Sequence, residues 1–201
     1  LVSAERLMEF EGLPDEAGAA LPPAAGEFCR LVAEDVSFHY EGGEPVLRDV
    51  SLTIERGDMI VLAGRSGIGK STLVKLTLAL YEPDEGRLFV EDAAGERHAV
   101  SAATRPYFAY VPQGNGLFAG TIRENVSLFD SAPDEERLWS ALKGACAEDF
   151  VRALPQGLDT PLGEGGAGIS EGQAQRIAVA RAWMSPAPVL LLDEATASLD
   201  E

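Results

Sequence analysis

The chain predicts an α/β fold in which a mainly parallel sheet with helices carries an antiparallel β subdomain and an inserted α-helical subdomain. Three observations predict it. A glycine loop, Gly64 to Thr72 (GRSGIGKST), stands between an uninterrupted apolar run, Met59 to Ala63 (MIVLA), and a stretch of helical composition, Ser71 to Leu80. This is the order of a strand buried on both faces, a loop and a helix. Val36, Phe38 and Tyr40 alternate with polar residues, as do Val50, Leu52 and Ile54, and Gly42-Gly43 lies between the two sets. That is the period of two half-exposed antiparallel strands. From Thr121 to Ala182 the period turns helical, in Glu135 to Ala145 and Glu148 to Leu154, broken by Gly144, Pro155 and Gly157.

The 201 residues, 46% of them hydrophobic, suffice for one sizeable domain with its own core. No apolar run reaches the roughly 18 residues of a spanning helix, and the N-terminus lacks the order of a signal peptide. Net charge is -17, from 33 acidic against 16 basic residues, which argues against a nucleic-acid-coating surface. Cys29 and Cys146 have no metal-ligand spacing and are too few for a disulfide scaffold, so they read as buried or idle thiols.

In chain order, Leu1 to Phe10 reads as the last turns of a helix and Glu11 to Glu27, rich in Ala, Gly, Pro and acid, as a linker. After the glycine loop, Pro83 to Gly86 is turn chemistry, Arg87 to Glu91 a strand and Asp92 to Ala103 a solvated excursion. Tyr107 to Val111 (YFAYV) is a buried strand ending at Pro112-Gln113, which puts Gln113 where ligands of open α/β sheets gather. Ser170 to Gln173 is a capping box, with Ser170 the N-cap and Gln173 reaching back. Val189 to Leu192 (VLLL) is a buried strand that delivers Asp193-Glu194. His39 and His98 read as surface or turn histidines, Arg176 and Arg181 as salt-bridge formers of the helical lobe.

The glycine loop carries the chemistry. Gly64, Gly69, Lys70 and Ser71 fill the pattern Gly, four residues, Gly-Lys-Ser/Thr, which marks a P-loop NTPase core. A triphosphate is wrapped by successive backbone N–H groups, which side chains at Gly64, Gly67 and Gly69 would obstruct, and the following helix N-terminus adds partial positive charge. Arg65, Ser66, Ile68 and Thr72 complete the cradle. Lys70 is the point charge for the β- and γ-phosphates, and Ser71 is placed to ligate Mg²⁺. Asp193 would hold Mg²⁺ through water, and Glu194 would face the γ-phosphate and orient an attacking water.

Taken together these stretches resemble the nucleotide-binding domain of ABC transporters. The resemblance covers Phe28 to Glu201. Tyr40 looks like the family's adenine-stacking aromatic, Gln113 its lid glutamine and metal ligand, Ile169 to Gln173 (ISEGQ) its signature, VLLLDE its second nucleotide motif, and Ser198-Leu199-Asp200 the loop after it. Leu117 to Asn125 (LFAGTIREN) and Thr160 to Gly165 (TPLGEG) look like the exporter branch. The resemblance implies ATP and Mg²⁺ as cofactors and a second nucleotide-binding domain that closes head to tail over two ATP. Ser170, Gly172 and Gln173 would then face the partner's γ-phosphate. It also implies a transmembrane domain as partner, at the cytoplasmic side of a membrane, with residues 1–27 the linker from it. Glu171 departs from the family, which most often has Gly there. The family's switch histidine is expected beyond Asp200, a role that neither His39 nor His98 can fill.

Two other readings compete: a soluble ABC-type ATPase, and a non-hydrolysing regulatory half of a heterodimer. LFAGTIREN and TPLGEG argue against the first and Glu194 against the second. A small-molecule P-loop kinase would need no signature.

Overall fold

The computed structural model describes residues 28–114, 116–128, 130 and 132–193. The expectations for 1–27, Glu194 and Ser198 to Asp200 lie outside these residues.

Four strands make an antiparallel sheet in the order β2-β1-β3-β4: β1 (Phe28–His39), β2 (Pro45–Glu55), β3 (Glu85–Asp92) and β4 (Arg97–Ala99). Leu31 stands opposite both Ile54 and Val90, so one apolar position seeds both ladders. The sheet is bent at Asp35, at φ 50°, where Ser51 Oγ accepts from the Asp35 N–H at 2.8 Å. Gly86 crosses this bulge. A Cβ there would lie 2.3 Å from the carbonyl oxygens of Glu34 and Asp35, and its φ is +78°, so no other residue fits unstrained.

The helix after the glycine loop, α1 (Lys70–Thr77), lies against this sheet. Val74 and Leu78 join Phe28, Leu31, Val90, Tyr107 and Phe108, and Leu76 joins Ala33, Val36, Phe38, Leu47 and Leu88. Arg105 closes the helix's C-terminal end by donating to the carbonyls of Leu78 and Ala79, at 2.8 and 2.9 Å. A cation there satisfies orphan carbonyls and the helix dipole together. The expected solvated excursion is exposed from Ala93 to Arg97 and carries β4 and then a 3-10 turn, Ala102–Tyr107, capped by Ser101 and Thr104. Asp92 is buried because it accepts from the N–H groups of Ala94 and Glu96 and from His98 Nε2.

The second strand pair, β5 (Phe108–Val111) with β8 (Val189–Leu192), is parallel, Val111 opposite Leu192. Between them come α2 (Ile122–Ser127), α3 (Glu135–Gly144), α4 (Glu148–Ala153) and α5 (Glu171–Met184), packed around Ile122, Val126, Leu138, Leu142, Val151 and Ile177. The short strands β6 (Gly120–Thr121) and β7 (Pro161–Leu162) pair antiparallel and join LFAGTIREN to TPLGEG.

Two strand expectations change. Met59 to Ala63 is not a strand, and Met59, Val61 and Leu62 are 89, 77 and 40% exposed. An apolar run becomes a buried strand only when both edges find partners, and among the described residues the run pairs with no strand. VLLL is a strand, but Leu190 and Leu192 on one of its faces are partly exposed.

Candidate functional site

The glycine loop turns into α1 through Gly69, whose φ of 105° places it in the left-handed region. A Cβ there would stand 2.7 Å from Leu47 Cδ2 and 3.2 Å from the Val46 carbonyl oxygen. The loop therefore presses on β2, which only glycine permits. Residues 64 to 68 lie exposed above it, and Gly67 also has a positive φ, of 81°. Lys70 curls back into the loop, its Nζ donating to the carbonyls of Gly64 and Arg65 at 2.8 and 3.0 Å. The ammonium thus sits inside the ring of backbone that the glycines define.

Ser71 Oγ donates to Asp193 Oδ1 at 2.7 Å across 122 residues. Asp193 is held there because its N–H donates to the Val111 carbonyl at 3.0 Å, one step beyond the β5–β8 ladder. Burial leaves its residue 6% exposed, and Tyr110 Oη approaches Oδ2 at 3.5 Å. Burial, and then the Asp193 charge, push the Tyr110 phenol above its ordinary pKa, so it faces Asp193 as a proton-bearing donor. Mg²⁺ prefers oxygen ligands and keeps several waters, so this alcohol and carboxylate beside a phosphate cradle suit it.

Tyr40 ends one residue beyond β1, with its hydroxyl 3.1 Å from Thr72 Oγ1. Its ring meets Phe38 and Tyr81 edge to face, at centroid distances of 4.9 and 5.3 Å. His39 and Asp84 clasp this corner: the His39 N–H donates to Asp84 Oδ2 at 2.7 Å and Nδ1 lies 2.6 Å from the same oxygen. Gln113 is exposed on the loop after β5, in the place expected of it.

At the start of α5, Ser170 Oγ accepts from the Gln173 N–H at 3.2 Å and Gln173 Oε1 accepts from the Ser170 N–H at 3.0 Å. The capping box is formed. Each side chain thus accepts from the other residue's backbone N–H, and neither is hydrogen-bonded to the phosphate loop of the same chain. Gly172 is partly buried and Glu171 exposed in the first turn.

Other side chains behave differently from their sequence reading. Arg176 and Arg181 bond to carbonyl and amide oxygens rather than to carboxylates: Arg176 to Cys146 O, Arg181 to Asn125 and Gly116. Cys29 and Cys146 are free and exposed. Tyr110 and Arg105 had no sequence signal beyond their type, since their roles arise from which carbonyl or carboxylate the fold places beside them.

The glycine loop, the N-terminus of α1 and the buried Asp193 that follows β8 define a P-loop nucleotide-binding fold. The ABC transporter family model matches residues 47–197, and the chain belongs to that family. It is 39% identical over 184 residues, 91% of this chain, to a Staphylococcus aureus protein titled "Putative multidrug export ATP-binding/permease protein". It is 41% identical over 187 residues, 92% of this chain, to the Mycolicibacterium smegmatis mycobactin import ATP-binding/permease protein IrtB. The chain spans 32% of each of these two relatives. Among solved structures, a bacterial Atm1-family ABC exporter with ATP bound matches at a TM-score of 0.79 and 31% identity, over 98% of this chain and 35% of that one.

Proposed function

We propose that this chain is the ATP-hydrolysing motor domain of an ABC exporter. It works by head-to-tail closure with a second such domain and by coupling to a transmembrane domain, on the cytoplasmic side of the membrane. The observation that carries the reading is the 2.7 Å contact of Ser71 with Asp193, an alcohol and a carboxylate from distant segments set beside a phosphate cradle. The multidrug export relative and the exporter structure support an exporter, while the mycobactin import relative carries a like domain.

In this reading the loop N–H groups and the α1 N-terminus bind the phosphates of ATP, and Lys70 turns from its own carbonyls to the β- and γ-phosphates. Ser71 and Asp193 hold Mg²⁺, which neutralises phosphate charge. Tyr40, braced by Phe38 and Tyr81, offers its ring to adenine. Glu194 follows Asp193 in sequence and takes a proton from the attacking water, which Gln113 helps to place. Ser170, Gly172 and Gln173 offer a helix N-terminus to the partner's γ-phosphate, with a capping hydroxyl already oriented.

The test is calorimetric titration with Mg-ATP, followed by turnover. Lys70→Ala should weaken binding by roughly 10- to 150-fold, the worth of about 1.5–3 kcal/mol for hydrogen bonds from a charged donor. Glu194→Gln in the complete transporter should keep binding and stop turnover. Unchanged affinity in the first variant would overturn nucleotide binding at this loop. Persistent hydrolysis in the second would remove Glu194 from the mechanism.

A further inference from the structure

Arg181, in the last turn of α5, donates Nε to the Asn125 carbonyl at 2.8 Å, Nη1 to the Gly116 carbonyl at 2.9 Å and Nη2 to Asn125 Oδ1 at 2.8 Å. Its Cζ stands 5.0 Å from the centre of the Phe118 ring. Every one of these partners is neutral. Withdrawing a charge from water without a counter-ion is costly, and burial accordingly pulls this guanidinium's pKa down. Electrostatic attraction is therefore a poor account of why arginine stands here. What the planar fork supplies is direction: three donors in one plane fix two backbone segments relative to the helix, with the cation over the Phe118 ring.

The segments it fixes lie between the candidate catalytic groups. Gly116 stands three residues beyond Gln113, and Asn125 closes the stretch that follows. Fully buried, Asn125 donates Nδ2 to the carbonyls of Phe118 and Thr121, each at 3.0 Å, and accepts from the Phe118 N–H at 2.9 Å. The same helix begins at Ser170, and the Gly165 N–H reaches the Leu117 carbonyl at 3.2 Å. Beside this knot a cleft of about 200 Å³, lined by Tyr110, Pro112, Ala178 and Ala182, separates part of β5 from α5. Arg181 lines this cleft beside Gly116, while Val111 at the end of β5 packs in one apolar cluster with Ile177 and Ala178 of α5.

We propose that Arg181 is a positioning residue for ATP hydrolysis, holding the segment after Gln113 against the helix that starts at Ser170 so that both move as one body relative to the phosphate loop. The proposal rests on the reading of this chain as an ATP-hydrolysing domain. A residue of this kind acts on the chemical step and leaves nucleotide binding alone, because Lys70 and Ser71 share no hydrogen bond with Arg181 or its partners.

The test uses the complete transporter with Arg181→Met, which keeps an unbranched stem and loses the fork, and Arg181→Lys, which keeps charge and length. The readouts are trinitrophenyl-ATP binding, KM and kcat per folded molecule. The expected result is kcat lowered at least tenfold in Arg181→Met, with KM and binding within twofold of wild type, and a smaller loss in Arg181→Lys. That pattern marks an interaction used only in the transition state. If Arg181→Met does not fold, Arg181→Lys decides, with a threefold or greater loss of kcat at constant KM supporting the proposal. Wild-type kcat in the folded variants, or nucleotide binding and kcat falling together, would overturn it. A wild-type transporter that binds no nucleotide would overturn the proposed function itself, and this inference with it.

Discussion

In the helical lobe Ile122, Val126, Leu138, Leu142, Val151 and Ile177 are all fully buried, whereas around the phosphate loop Met59, Val61 and Ile68 are more than half exposed. Both regions are rich in apolar residues. The lobe's apolar positions recur at helical spacing, and α2 and α3 both pack on α5, so its helices cover one another within the lobe. The phosphate side depends on partners far away: Gly69 on Val46 and Leu47, Ser71 on Asp193, Tyr40 on Thr72 and Tyr81. A self-contained core and a surface assembled from distant pieces should therefore respond differently to mutation.

The largest effect is expected where the lobe is most self-contained. Asn125→Ala strands the Phe118 N–H and two carbonyls and takes an acceptor from Arg181, which should cost about 2–4 kcal/mol. Urea unfolding should show it. A loss under 0.5 kcal/mol would mean that water replaces the amide and that the lobe is looser than its packing.

Gly69→Ala should cost about 1–3 kcal/mol through strain at φ 105° and should also displace the loop from β2. On this side stability and ATP affinity should fall together. Thermal unfolding with and without Mg-ATP would separate them, and an unchanged ATP-induced rise in Tm would break the contrast between the regions.

Ser170→Ala removes one half of the capping box, worth about 1 kcal/mol. Stability should fall by that amount while nucleotide binding to the isolated domain stays the same, because the cap's bonds are local. Any further loss in ATP-driven dimer formation would measure the hydroxyl's part in the partner's site.

The smallest effect is expected at the His39–Asp84 clasp. Hydrogen bonding to His39 holds the Asp84 carboxyl below the usual carboxylate range. A lowered folded pKa contributes stability that is present above the unfolded value and lost as pH falls through the folded one. Wild type should therefore lose stability on the acid side of the carboxylate range, and Asp84→Asn should flatten that limb slightly. Identical acid unfolding curves would show that the clasp does not anchor Tyr40 and Tyr81.

The amino-acid sequence by itself determined whatever depends on local chemistry. GRSGIGKST specified a glycine loop running into a helix, SEGQ its own cap, and the alternation about Gly42-Gly43 an antiparallel ladder, because hydrogen-bond geometry over a few residues admits few answers. The same local logic misjudged residues whose environment is non-local. Met59 to Ala63 has the composition of a buried strand, yet the run pairs with nothing among the described residues, since pairing needs an edge that composition cannot supply. Asp92 to Ala103 is solvated from Ala93 to Arg97, as its composition suggests, but Asp92 itself is buried, because a carboxylate satisfied by two N–H groups and a histidine has no sequence signature. Arg181 looked like a salt-bridge former of the lobe because nothing in the residues around it shows that Asn125 and Gly116, 56 and 65 residues away, bring their oxygens to it. Only tertiary structure decides such partners, because the free energy of a buried polar group is set by the atoms that replace water, and those come from elsewhere in the chain.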